Sequence, residues 1–137
     1  MPIRVLVADD NSDVRQVLQS ELEQHPLLEV CGVTWNGADT IDKALALKPD
    51  IVVLDFSLPD RNGLQVAAAL KRKLPETKII LFTLFDDLFG DSVAAASGVY
   101  AVVSKEEGLA PLLAIIQELL TKLDASPAAV PSLTTKT

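Results

Sequence analysis

The chain has 137 residues, 49% of them hydrophobic, which is enough for one domain with one sizeable core and too few for a second. Its formal net charge of -7 and its pI of about 4.6 argue against unaided binding to nucleic acid, because phosphate contacts need a basic face. The start Met-Pro-Ile-Arg carries no signal-peptide pattern and no stretch approaches the roughly 20 apolar residues of a bilayer span, so a cytoplasmic protein without membrane contact is expected.

Residues 3 to 8 are apolar apart from Arg4 and read as a first strand. Asn11 or Ser12 then offers a cap for a helix with Val14, Val17, Leu18 and Leu22 on one face. The alternation repeats with a strand at Glu29 to Val33, followed by a helix whose face is Ala38, Ile41, Ala44 and Leu45 and which Pro49 ends. Cys31, the only cysteine, lies in that apolar strand and reads as a small buried hydrophobe. Ile51 to Leu54 is apolar on successive residues, the pattern of a central parallel strand covered on both faces. A helix from about Gly63 to before Pro75, a strand at Lys78 to Phe82, a helix at Asp86 to Ala96 closed by Gly98, a strand at Val99 to Ser104 and a last helix at Leu109 to Leu123 complete the series. Five strand and helix units predict an α/β fold: a doubly wound five-stranded parallel sheet in the flavodoxin-like order 2-1-3-4-5, with helices on both faces. The domain is predicted over 1–123, and the proline-containing stretch 124–137, with no apolar period, as a disordered tail or linker.

The polar residues gather at strand ends. Asp9 and Asp10 follow the first strand and Asp55 the third, which neighbours it in the predicted order, so three carboxylates converge at one sheet edge. Their mutual repulsion calls for protonation or a cation. Magnesium, which takes oxygen ligands and keeps several waters, suits a shallow open site at Asp10 and Asp55. Thr83 and Lys105 end the next two strands and add a hydroxyl and an ammonium. A carboxylate beside a cation, a hydroxyl and a lysine is equipped to accept a phosphoryl group, whose equatorial oxygens those groups neutralise, which makes Asp55 the candidate nucleophile.

Asp9-Asp10, the run Asp55-Phe-Ser-Leu-Pro59 with Gly63 eight residues after the aspartate, Thr83 and Lys105 together resemble the receiver domain of two-component response regulators, over about Ile3 to Leu123. Ala8-Asp-Asp-Asn11 and the strand at Glu29 to Val33 are similar to receivers that precede helix-turn-helix output domains. The resemblance implies that Asp55 takes a phosphoryl group from the histidine of a sensor kinase or phosphotransfer protein. It also implies that magnesium is held by Asp10, Asp55 and the Phe56 backbone carbonyl with Asp9 acting partly through water, and that Thr83 and Lys105 read the phosphoryl oxygens. The implied role is a regulatory phospho-acceptor with at most slow self-dephosphorylation. Its signal would leave through the fourth helix, fifth strand and fifth helix.

Two positions depart from the family pattern. The aromatic usual three residues before the lysine is replaced by Val102, with Tyr100 five before and expected on the same face by strand alternation. Leu84 is large where a small residue normally leaves the site open. On the last helix Leu112, Leu113, Ile115, Ile116, Leu119, Leu120 and Leu123 sweep about 160°, against roughly 100° for a helix facing only its own core. With Phe85, Leu88 and Phe89 nearby, this predicts a homodimer or partner contact through the fifth helix region. His25 reads as a surface residue and Trp35 as part of the site's rim. Three other readings remain: the receiver portion of a DNA-binding regulator whose output domain is not in this chain, an aspartyl-phosphate phosphatase of the haloacid dehalogenase type, and a flavodoxin. The phosphatase needs a second acid two residues after the nucleophile, where Ser57 stands, and Asp9-Asp10 would repel a flavodoxin's phosphate.

Overall fold

A computed structural model of the chain describes residues 2–84 and 98–124. The expected helix at 86–96, with Phe85, Leu88 and Phe89, and the tail beyond 124 lie outside the described residues. The strands are β1 (Ile3–Ala8), β2 (Leu28–Thr34), β3 (Ile51–Leu54), β4 (Lys78–Thr83) and β5 (Ala101–Ser104), and all pair in parallel in the order β2-β1-β3-β4-β5. Helices α1 (Ser12–Glu23), α2 (Gly37–Leu47) and α3 (Gly63–Lys73) and a C-terminal helix (Ala110–Asp124) join and cover them.

The successive apolar residues of β1, β3 and β4 divide between two cores. Val5, Val7, Ile51, Val53, Ile80 and Phe82 meet α1 and the C-terminal helix through Leu18, Leu22, Leu112, Ile116 and Leu119. Leu6, Ala8, Val52, Leu54, Ile79 and Leu81 meet α2 and α3 through Ala44, Val66, Ala67 and Leu70. Each fully buried Leu, Ile or Val contributes about 1.5–3 kcal/mol, so continuous apolar strands require cover on both faces.

Local signals set the helix ends. Asn11 caps α1 by accepting from the N–H groups of Asp13 and Val14. Asn62 and Gln65 close a reciprocal capping box on α3. Val17 departs from the expected α1 face: it is 48% exposed, because Val14, Leu18 and Leu22 align at spacings of four and Val17 turns outward. On the C-terminal helix Leu112, Ile116, Leu119 and Leu120 are buried, while Leu113, Ile115 and Leu123 pack half-buried against the same cluster. The wide apolar arc is therefore largely used by the domain's own core.

The fifth strand is shorter than expected. It begins at Ala101, so Tyr100 precedes it and alternation does not carry across. Tyr100 packs on the side of the C-terminal helix, where its hydroxyl donates to Glu118 Oε2 at 2.5 Å and receives the Lys122 ammonium at 3.1 Å. Val102 packs on the opposite side, against the α2 and α3 core. The shared face expected for these two residues is thereby corrected.

Candidate functional site

Register brings the acids together. Ala8 pairs with Leu54 across β1 and β3, so the residues after them, Asp9 and Asp55, leave the sheet at one level, and the Asp55 N–H donates to the Ala8 carbonyl at 2.9 Å. Carboxylate oxygens of Asp9, Asp10 and Asp55 lie within 4.8 Å of one another, with Asp9 and Asp55 buried and Asp10 exposed. Thr83 pairs with Ser104 at the ends of β4 and β5 and is buried, and Lys105 follows directly. The Ser104 hydroxyl accepts from the Glu106 N–H and caps the short turn Lys105–Glu107 that starts at the lysine. The Lys105 ammonium stands 2.6 Å from Asp9 Oδ2 and 3.3 Å from Asp55 Oδ2.

The acids differ in their partners and burial. Asp9 is engaged at both oxygens, one by the Asn11 N–H at 2.9 Å and one by Lys105. The Asp55 carboxyl is pushed above its ordinary range by burial first and by the charge of Asp9 next. Lys105 and the Ser57 N–H pull it back without reversing the shift. Three acids face one ammonium, and their oxygens form a donor set that fits a hard divalent cation.

The loop between β3 and α3 completes the wall. The Gly63 N–H donates to the Phe56 carbonyl at 2.7 Å, and Ser57 bridges to Asn62. A Cβ at Gly63 would stand 2.7 Å from the Asp55 carbonyl oxygen and 2.9 Å from Phe56 Cα, so only glycine permits this approach. Ser57 occupies the place where a phosphatase of the haloacid dehalogenase type needs its general acid.

Asp9, Asp10, Asp55, Thr83 and Lys105 stand at this edge of the sheet, and two neighbours were not anticipated. Arg15 on α1 donates to the Asp9 carbonyl at 2.8 Å and lies 5.5 Å from the ring of Trp35, which is 55% exposed on the rim. Asp60 reaches from the loop to α2 and accepts from the N–H groups of Gly37 and Ala38. The spacing of Arg15 from the Asp9-Asp10 pair, within the first turns of the next helix, was its one available signal. Leu84 is 59% exposed beside Thr83.

The profile of the response regulator receiver domain family matches residues 5–117. The chain belongs to the response regulator receiver family. Over 136 residues, 96% of its length, this receiver is 34% identical to a protein-glutamate methylesterase/protein-glutamine glutaminase of Geobacillus kaustophilus and covers 39% of that protein. Among solved structures it resembles the response regulator domain of Thermotoga maritima CheB, with a TM-score of 0.73 and 29% identity over 89% of this chain and 93% of that one. It also resembles a DNA-binding response regulator of the LuxR family from Staphylococcus aureus, with a TM-score of 0.77 and 28% identity over 85% and 98% of the two chains. The chain spans between 21% and 39% of the length of the curated methylesterases it matches. No helix among the described residues is long and apolar enough to cross a membrane.

Proposed function

We propose that this receiver accepts a phosphoryl group on Asp55 from the histidine of a sensor kinase or phosphotransfer protein, and that the modified domain signals to an output partner in the cytoplasm. The observation that carries the reading is the convergence of Asp9, Asp10 and Asp55 oxygens within 4.8 Å beneath the Lys105 ammonium. A carboxylate oxygen of Asp55 forms the new bond to phosphorus while the donor's bond to phosphorus breaks and its electron pair leaves with the donor. Asp55 must be ionised to do this, and the ammonium of Lys105 and the N–H of Ser57 oppose the burial that would keep it protonated.

Magnesium would be held by Asp10, Asp55 and the Phe56 carbonyl. Asp9, already bonded to Lys105 and Asn11, would act through water. Bound there, the cation supplies neutralisation of the acids and of the phosphoryl oxygens. On phosphorylation Lys105 exchanges carboxylate for phosphoryl oxygens, and the Thr83 hydroxyl donates to them. Two charge-assisted hydrogen bonds of about 1.5–3 kcal/mol each approach the roughly 5.5 kcal/mol that takes a two-state equilibrium from 1:99 to 99:1. The change passes to the surface formed by β5 and the C-terminal helix. Tyr100 is held against Glu118 and Lys122 on the outer side, so it does not take the part of the aromatic that Val102 replaces.

The domain is a regulatory acceptor over about 1–123. The methylesterase relatives, which are longer than this chain, support the reading in which the receiver is one part of a longer regulator. Leu113, Ile115 and Leu123 are only partly covered by the domain's own core, and a homodimer through that edge of the C-terminal helix is the second part of the proposal. Light scattering with a phosphate mimic tests it, and a monomer at high concentration would exclude it. The acceptor reading is tested by incubating the protein with acetyl phosphate and magnesium and measuring intact mass. Wild type gains one phosphoryl group only with magnesium and Asp55→Asn gains none; equal modification of both proteins would reject the reading.

A further inference from the structure

Asp60, directly after Pro59, spends its carboxylate on a different element. Its Oδ1 accepts from the Gly37 N–H at 2.6 Å and its Oδ2 from the Ala38 N–H at 2.9 Å, both on the first turn of α2. The next N–H of that helix, Asp39, goes to the side chain of Asn36 at 2.8 Å, so α2 is capped jointly by its own asparagine and by the acceptor loop. A second contact sits beside it. Gly37 is buried with no side chain, and a Cβ there would stand 2.4 Å from Arg61 Cγ, so loop and helix meet backbone against stem.

The same loop follows directly on Asp55. Its two ends are tied down by β3 and the capping box of α3, and its middle by the Ser57 to Asn62 bridge and the Gly63 to Phe56 bond. Its outermost turn is held to the rest of the domain through Asp60. Two adjacent N–H groups fix both the position and the tilt of a carboxylate, and the partial positive charge of a helix N-terminus favours the ionised form.

We propose that Asp60 is a positioning residue for the acceptor site: by fastening the β3–α3 loop to the N-terminus of α2, it holds the loop that follows Asp55 in the arrangement in which the acidic pocket binds the cation. The inference rests on the reading of the pocket as a magnesium-dependent phosphoryl acceptor. Groups that orient metal ligands without touching the metal cost about 10–100-fold in affinity when removed. Asp60 is expected near the lower end, because the loop keeps its other ties.

The test is calorimetric titration of the full chain with magnesium, paired with the rate of phosphorylation by acetyl phosphate as magnesium is varied. Asp60→Ala should weaken magnesium about 10-fold and keep the rate at saturating magnesium within about twofold of wild type. Asp60→Asn, which retains one acceptor oxygen, should fall between. Asn36→Ala removes the helix's own cap and leaves both Asp60 contacts, so it should lower the melting temperature and leave magnesium affinity unchanged. Wild-type affinity in folded Asp60→Ala, or an equal loss in Asn36→Ala, would overturn the inference while leaving the acceptor reading intact. Wild type that neither binds magnesium nor takes phosphate would remove the acceptor reading and this inference together.

Discussion

Asp55→Asn should make the metal-free protein more stable at neutral pH, although it removes the residue on which function depends. Asp55 is 5% exposed, and burial and the Asp9 charge raise its pKa in the folded state above the ordinary 3.8. A carboxyl with a raised folded pKa binds its proton more tightly folded than unfolded. Its effect on stability is therefore absent below 3.8 and becomes a growing cost as pH rises from there through the folded value. At an effective dielectric of about 20, two carboxylates no more than 4.8 Å apart repel by at least about 3.5 kcal/mol, and the ammonium at 3.3 Å attracts by about 5 kcal/mol. These nearly cancel, which leaves the desolvation of a buried carboxylate, several kcal/mol, as the deciding contribution. After the imperfect hydrogen bonding of an amide, a gain of about 1–3 kcal/mol is expected, or roughly 3–15 °C in melting temperature. Thermal unfolding followed by circular dichroism in a chelator should show this gain at neutral pH and its disappearance near pH 4. Magnesium should narrow the gap by stabilising wild type more than the variant. An unchanged or lowered melting point, or a gain independent of pH, would refute the electrostatic account.

Three further outcomes follow from the same geometry. Lys105→Ala leaves Asp9 and Asp55 buried without their cation and should destabilise the metal-free protein by about 2–4 kcal/mol in denaturant titrations, with magnesium restoring part of the loss. Gly63→Ala forces a methyl against the Asp55 carbonyl oxygen and Phe56 Cα, so it should cost about 1–3 kcal/mol and raise the magnesium concentration needed for half-saturation. Trp35 is the only tryptophan and stacks with Arg15, which bonds the Asp9 carbonyl; magnesium should therefore change its emission, and Asp10→Ala should abolish that change in a folded protein.

The sheet and the acidic edge were legible because both follow from short-range rules. Four or more successive apolar residues ending in an acid or hydroxyl mark a buried parallel strand and its functional end, and parallel register then aligns Asp9 with Asp55 and Thr83 with Ser104. What escaped depends on distances that sequence spacing does not carry. Asp60 is an exposed acid in a turn, and nothing local distinguishes it from a solvated one; its bonds span 22 and 23 residues. Tyr100 was misplaced because alternation was extended one residue beyond the true start of β5. The width of the last helix's apolar face was read as surplus, yet half-buried Leu113, Ile115 and Leu123 show how far one core can wrap a helix. The lysine's preference for Asp9 over Asp55, 2.6 against 3.3 Å, was equally invisible, since it depends on where a flexible side chain settles among three acids.

The most direct test of the account locates the phosphoryl group itself. After reaction with acetyl phosphate and magnesium, borohydride reduces an acyl phosphate to the alcohol, so an acceptor aspartate becomes homoserine and can be mapped by peptide mass. Homoserine at position 55 alone is the predicted result. Homoserine at Asp9, Asp10 or Asp60 instead, or none in a protein that has gained phosphate, would contradict it.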